Sequence, residues 1–327
     1  MQLFASSKNR GMKELLILTR SFMCSVSVCS LVGCKIWLGN EGEVSSLPLP
    51  TVSADELGVG FVVPNSPSAT KSPFSVYLKA KKIPGRTVGG LQIRALQLIE
   101  IKEDASVVKD AVPFVSGKPK HQVERWGIDS KSGSEEPLPQ GVWIAGETQW
   151  GRGDTVNETN GFDVKNCTAI ANQLAKLGSA AYDKEIPHET HALGPAFTAL
   201  KFVGPGTTDR TAIGIHVDNN WKTDPGSSGC VTTLPGENDK FSNLKKVHTW
   251  LANLGNKKFP CEGKYIPLIV DWGLPSSGSG RSWTGSSTSL SLAVSPSDLD
   301  LLALIPADAT LPKVSLTEIM NGLDSEK

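Results

Sequence analysis

Runs of β-forming residues, cut at short intervals by Gly, Pro, Asn and Asp, constrain this chain more than any other feature. From Pro73 the sequence reads FSVYLKA, LQIRALQLIEI and VVKDAVPFVSG, then GVWIAGE, FTALKFVG, AIGIHVD and KYIPLIVDW. Each run alternates or clusters apolar and β-branched residues over the length of a strand, and turn formers bound it. The 32 glycines and 21 prolines supply those turns. The expectation is a loop-rich, mainly β core.

Two stretches carry helical spacing instead. Asp163 to Tyr182 places Val164, Ile170, Leu174 and Leu177 near a helical repeat behind an Asp cap. Residues 239–254 place Phe241, Leu244, Val247 and Leu251 on one face, with Gly255 as the C-cap. His248 faces away from that stripe and is expected at the surface. The order over 72–274 is therefore strands, helix, strands, helix, strand. Residues 40–71 read as a linker with one short strand at Val59–Val63, and 275–327 as a Ser/Gly-rich linker with a mildly acidic tail. The whole is a single core domain, mainly β with accessory helices, between flexible tails.

Charge excludes one class of function. The 33 Lys and Arg residues balance 33 Asp and Glu, which argues against an electrostatic nucleic-acid binder. Hydrophobic residues make up 39 %, enough for a core.

The N-terminus, residues 1–39, reads as an export leader. Met12 is a candidate start, Lys13 and Arg20 form a basic region, and Ser21 to Gly33 is a short apolar stretch. Leu31-Val32-Gly33-Cys34 resembles a bacterial lipobox. That likeness implies a lipidated Cys34 and a protein attached to the membrane on the exported, periplasmic side of the envelope. An uncleaved signal anchor and a mis-assigned start are the other readings. With the leader cut, Cys167, Cys230 and Cys261 remain, an odd number that leaves at least one thiol unpaired. A Cys167–Cys261 disulfide and two ordinary buried thiols both stay open.

Chemistry concentrates in AIGIHVDNNWKTDPGSSGCVTT. His216 ends a strand, and Cys230 follows 14 positions later, after a loop rich in Gly, Pro, Asn, Asp and Ser. A cysteine nucleophile needs a neighbouring base or cation, and histidine is the side chain best matched to that task near neutral pH. Gly226 and Gly229 allow a close backbone approach, so amides around Gly229 and Cys230 are candidates for an oxyanion hole. Asp218, two positions after His216 on an extended strand, shares its face and is a candidate to orient the ring; a solvated turn residue is the other reading.

IHVDNN followed by SSGCV resembles the catalytic signature of the L,D-transpeptidase catalytic domain, the YkuD family. In that signature a strand-borne Ile-His precedes a variable loop and a Ser/Thr-x-Gly-Cys-apolar segment. VPFVSGKP at 112–119 is similar to the family's strand ending in a Ser/Thr-Gly-Lys turn, and EPLPQGVWIAGE at 136–147 to its cleft strand. The likeness covers about residues 90 to 272 and implies a β-sandwich or curved-sheet catalytic domain at 72–274. Ser228 stands where the family usually has His, and Thr232 where Arg or Asn is common. The His-to-Cys loop is a little short, and 148–195 is an insertion with its own helix.

The resemblance implies an acyltransferase acting on peptidoglycan tetrapeptide stems, with no cofactor and no metal. Cys230 would be the nucleophile, His216 the base and acid, and the Gly229 backbone an oxyanion donor. Ser227, Ser228, Asp218, Trp221, Gly141 and Trp143 would support the site or bind substrate, although Trp143 is a residue type more often found in a core. An L,D-carboxypeptidase or hydrolase and a non-catalytic stem-peptide-binding envelope protein remain alternatives. His188 and His191, three apart between Pro187 and Pro195, make a poor metal site. The GSSGC segment fails the serine elbow pattern because position 230 is Cys.

Overall fold

In the computed structural model, the structure describes residues 47–65, 72–150, 193–255, 265–274, 297–306 and 309. The sequence-predicted strands form. They are β2 (Val76–Val88), β3 (Leu91–Ile101), β4 (Ala105–Gly117), β5 (Gly141–Trp150), β6 (Ala196–Gly204), β7 (Gly214–Val217) and β9 (Ile266–Asp271), with the short β1 (Val62–Pro64) before them; β8 (Ser227–Thr233) is a strand that was not expected. The helices are α1 (Ala54–Leu57), α2 (Ser242–Gly255) and α3 (Asp298–Leu302), and Gly127–Asp129 is a 3₁₀ turn.

The sheet runs β1-β4-β3-β2-β9-β5-β6-β7-β8, and β4 also pairs with β8. That last pairing closes eight strands into a barrel, where a sandwich or open curved sheet was expected. The 13-residue β4 makes closure possible. One edge pairs with β3 along most of its length, while the other takes β1 at Ala105–Val107 and β8 at Phe114–Gly117. β2–β9 and β7–β8 are parallel, and the other pairs are antiparallel.

Strand alternation sorts the side chains into two layers. Leu78, Leu96, Phe114, Trp143, Ile215, Val231 and Leu268 fill the barrel interior, and Val247, Trp250 and Leu251 of α2 join the same cluster. All four residues of the predicted α2 stripe are buried. His248 is buried with them, contrary to the surface position expected; burial holds its imidazole down to about 3.

Segments expected to be linker or tail pack against the outer wall. Leu57 of α1 joins Leu91, Ile93, Val115 and Leu234, and Leu47, Leu49 and Val52 pack on that cluster. Ser53 and Glu56 form a capping box at the start of α1. Leu299, Leu301 and Leu302 of α3 pack on Tyr77, Ile99, Val142 and Ile269. Asp298 ties α3 down, accepting from Tyr77 Oη at 2.7 Å and from Lys79 Nζ at 2.8 Å. The leader, the 163–182 helix, Cys167, Cys261, His188 and His191 lie outside the described residues.

Candidate active site

The outer wall at β6, β7 and β8 holds both chemically distinctive residues. β7 runs parallel to β8 with Ile215 opposite Val231 and His216 opposite Thr232. Cys230 stands two positions before Thr232, so its side chain leaves the sheet on the same side as that of His216. The step between them is one strand across, about 4.8 Å, and two residues along, about 6.6 Å. Ile215 and Val231, of opposite parity, point into the barrel interior. Cys230 instead clusters with Leu193, Phe197 and Ala199.

His216 is buried and flanked by the Phe197 ring, which stacks on it at 6.1 Å and 21°. Gly214 makes room for that ring: a Cβ there would lie 2.3 Å from Phe197 Cζ. Nδ1 of His216 lies 2.8 Å from the Val217 carbonyl oxygen. A carbonyl oxygen only accepts, so Nδ1 carries the proton. Burial holds the imidazole down to about 4, against the opposing pull of the Val217 carbonyl. The ring is therefore neutral near pH 7, and Nε2 carries a lone pair. That atom is buried and has no hydrogen-bond partner among the described residues. A buried lone pair without a donor is a base in waiting.

Cys230 belongs to a strand, β8, rather than to the loop expected for it. The strand is distorted where the cysteine sits. Thr232 pairs with Val115 and Ser227 pairs with Gly117, so β8 carries three more residues than β4 across the same interval. Bulges of this kind re-aim side chains and are frequent beside active sites. Ser227 Oγ donates to the Cys230 carbonyl at 3.0 Å and closes the bulge. The thiol is buried, outside any disulfide, and its Sγ lies 4.0 Å from the Ala212 carbonyl oxygen.

Arg210 braces the bulge from outside it, and nothing in the sequence reading pointed to this residue. Its Nη1 donates to the Ser228 carbonyl at 2.9 Å, its Nη2 to the Glu136 carbonyl at 2.9 Å and its Nε to Ser130 Oγ at 2.8 Å. Gly229 has φ +114, and a Cβ there would meet Arg210 Nη1 at 3.1 Å and the Glu136 oxygen at 3.2 Å. Glycine stands before the cysteine because a guanidinium and a carbonyl occupy the space a side chain would need.

Asp218 takes a different part from the ring-orienting one. The His216 Nδ1 bond goes to Val217, and Asp218 Oδ2 instead accepts from the Gly226 N–H at 2.8 Å, tying the two ends of the His-to-Cys loop together. Burial pushes its carboxyl up to about 7, although the Gly226 N–H and Lys118 pull the other way. Oδ1 has no hydrogen-bond partner among the described residues.

Trp221, expected beside the cleft, lies in the outer cluster with Leu57 and Leu91, and its Nε1 donates to the Leu47 carbonyl at 3.2 Å. Its apolar face secures the N-terminal segment. Trp143 is barrel core, with Nε1 donating to Pro139 O at 3.1 Å. Gly141 has φ +146, and a Cβ there would lie 2.5 Å from the Phe202 ring; it is a packing glycine. The structure thus brings together His216, Ser227, Ser228, Gly229 and Cys230, with Asp218 behind the loop, and leaves Trp221, Trp143 and Gly141 to packing. Among the described residues no cluster of His, Cys, Asp and Glu could hold a metal ion. The chain matches no protein-family model, no curated protein and no solved structure.

Proposed function

We propose that the protein is a cysteine acyltransferase of the L,D-transpeptidase type, acting on peptidoglycan tetrapeptide stems from the exported side of the envelope. The observation that carries the reading is the shared outer face of His216 and Cys230, with a neutral imidazole whose Nε2 lone pair is buried and unpartnered. The resemblance of IHVDNN and SSGCV to that family's signature supplies the substrate class.

The chemistry follows from the groups present. Rotation of the thiol away from Ala212 brings Sγ toward His216. Nε2 takes the thiol proton as sulfur attacks the carbonyl carbon of the third stem residue. The developing oxyanion is met by backbone N–H groups near Gly229 and Cys230. The carbon–nitrogen bond to the terminal D-Ala breaks, and D-Ala leaves with the proton from His216. An acceptor amine then attacks the thioester, gives its proton to His216, and the proton returns to sulfur as the amide forms. General base help is worth about 10²–10⁴-fold and one oxyanion donor about 10²–10³-fold.

The imidazole starts neutral in this account. Burial depresses it, so proton transfer to Nε2 accompanies attack instead of preceding it. Water as the acceptor would make the same acyl-enzyme a carboxypeptidase. The purified full-length chain is incubated with a tetrapeptide muropeptide, with Cys230→Ala alongside, and products are read by mass spectrometry. A crosslinked dimer lacking one D-Ala, absent with Cys230→Ala, is the expected result. Tripeptide without dimer gives the hydrolase, and unchanged stem from folded wild type contradicts the catalytic reading.

A further inference from the structure

Arg210 is buried and carried by the turn between β6 and β7, just before the strand that bears His216 and well before Cys230 in sequence. Its guanidinium spends three separate donors on three acceptors in two segments: Ser130 Oγ and the Glu136 carbonyl in the β4–β5 connection, and the Ser228 carbonyl in β8. We infer that Arg210 is the positioning residue of the proposed reaction, fixing the Ser228–Gly229 peptide so that the Gly229 N–H is presented to the oxyanion. The inference rests on the acyltransfer reading above and deepens it.

Among the described residues the only cis peptide is Gly204–Pro205, so Ser228–Gly229 is trans. In a trans peptide the C=O of one residue and the N–H of the next point in opposite directions. Holding the Ser228 oxygen on Arg210 Nη1 therefore fixes the Gly229 N–H pointing away from the guanidinium. The side of Gly229 where a side chain would stand is closed, since a Cβ built there would lie 3.1 Å from Arg210 Nη1 and 3.2 Å from the Glu136 oxygen, and this limits the peptide's freedom to roll. Ser130 and Glu136 hold the guanidinium in turn, at 2.8 and 2.9 Å.

The same turn touches the nucleophile directly. Ala212, two residues beyond Arg210, offers its carbonyl to the thiol, and it does so from φ +53, a conformation that non-glycine residues adopt rarely. A single segment thus fixes both the peptide before the cysteine and the resting position of its sulfur. A planar five-donor guanidinium suits this task, and a lysine ammonium cannot reach three acceptors in one plane.

The test compares full-length wild type, Arg210→Lys and Ser130→Ala in D-Ala release from a tetrapeptide muropeptide. Rates are normalised to the folded fraction from near-ultraviolet circular dichroism. Arg210→Lys is expected to lower kcat by about 10²–10³-fold, the loss typical of one oxyanion donor, with KM changed by less than a few-fold. Ser130→Ala, which keeps the guanidinium and removes one anchor, is expected to lose about tenfold in kcat alone. A purely structural arginine would lower the folded fraction and leave kcat per folded molecule unchanged in both variants, and that result overturns the inference while the acyltransfer reading stands. A folded wild type with no Cys230-dependent release overturns both.

Discussion

Burial and the Val217 carbonyl act on His216 in opposite directions, and burial prevails, leaving a neutral ring with a folded-state value of about 4 against 6.5 unfolded. The sign follows by linkage. The unfolded chain binds the proton more readily, so the contribution of His216 to stability is complete above pH 6.5 and is lost as pH falls through about 4. At about 1.4 kcal/mol per pH unit the loss is at most about 3 kcal/mol. Imidazole NMR should show no titration of His216 between pH 5.5 and 8, and a midpoint near 6.5 would contradict the buried neutral base. Asp218 behaves oppositely. Its folded-state value of about 7 exceeds the unfolded 3.8, so its contribution is complete below 3.8 and is lost as pH rises through about 7. Asp218→Asn keeps an oxygen for the Gly226 N–H. It should raise stability at pH 8 relative to wild type, by at most about 4 kcal/mol, and leave it nearly unchanged at pH 4. Equilibrium urea unfolding at the two pH values measures this; equal shifts at both would show that the carboxylate is not responsible.

At the scale of elements, the β8 bulge and the α3 strap each rest on a few contacts. Gly229→Ala places a Cβ against Arg210 and the Glu136 carbonyl in a left-handed conformation, and is expected to cost about 1–3 kcal/mol. A chemical denaturation midpoint unchanged from wild type would show that the bulge relaxes freely. Asp298→Ala removes the acceptor shared by Tyr77 and Lys79 and leaves a half-buried ammonium with only Asp271, at 3.4 Å. The expected loss is about 2 kcal/mol, read by urea unfolding. Several elements were legible in the sequence, since β2 to β7, β9 and α2 carry period-two or helical patterns long enough to read. β8 was not, because SSGC offers no apolar alternation and its β-branched residues begin only at Val231. α1 and α3 are too short for periodicity; their signal was the capping pattern, Ser53 with Glu56 and Ser297 with Asp300.

For the whole molecule, closure of the barrel sets where the candidate site lies. The β4–β8 pairing joins Gly117 to Ser227 across more than a hundred residues, and no local pattern encodes it. Closure fills the interior with side chains and puts the buried His216 and Cys230 on the same face of the wall at β7 and β8. Their neighbourhood on adjacent strands was legible in part, because both lie in one short segment, although Cys230 was expected in a loop. Arg210 and Phe197 were not, since a buried arginine in a turn and a ring over a histidine acquire meaning only from tertiary contacts. Segment 47–65 packs over β3 and β4, and α3 packs over β2, β3, β5 and β9, both outside the expected core, so the full-length chain is the unit to assay. The most direct measurement is the intact mass of the protein after brief acid quenching with a tetrapeptide muropeptide. The account predicts an adduct equal to the stem donor minus D-Ala, mapped to Cys230, labile to hydroxylamine, and absent from Cys230→Ala and His216→Gln. Released D-Ala with no adduct on Cys230, or an adduct that persists in Cys230→Ala, would contradict it.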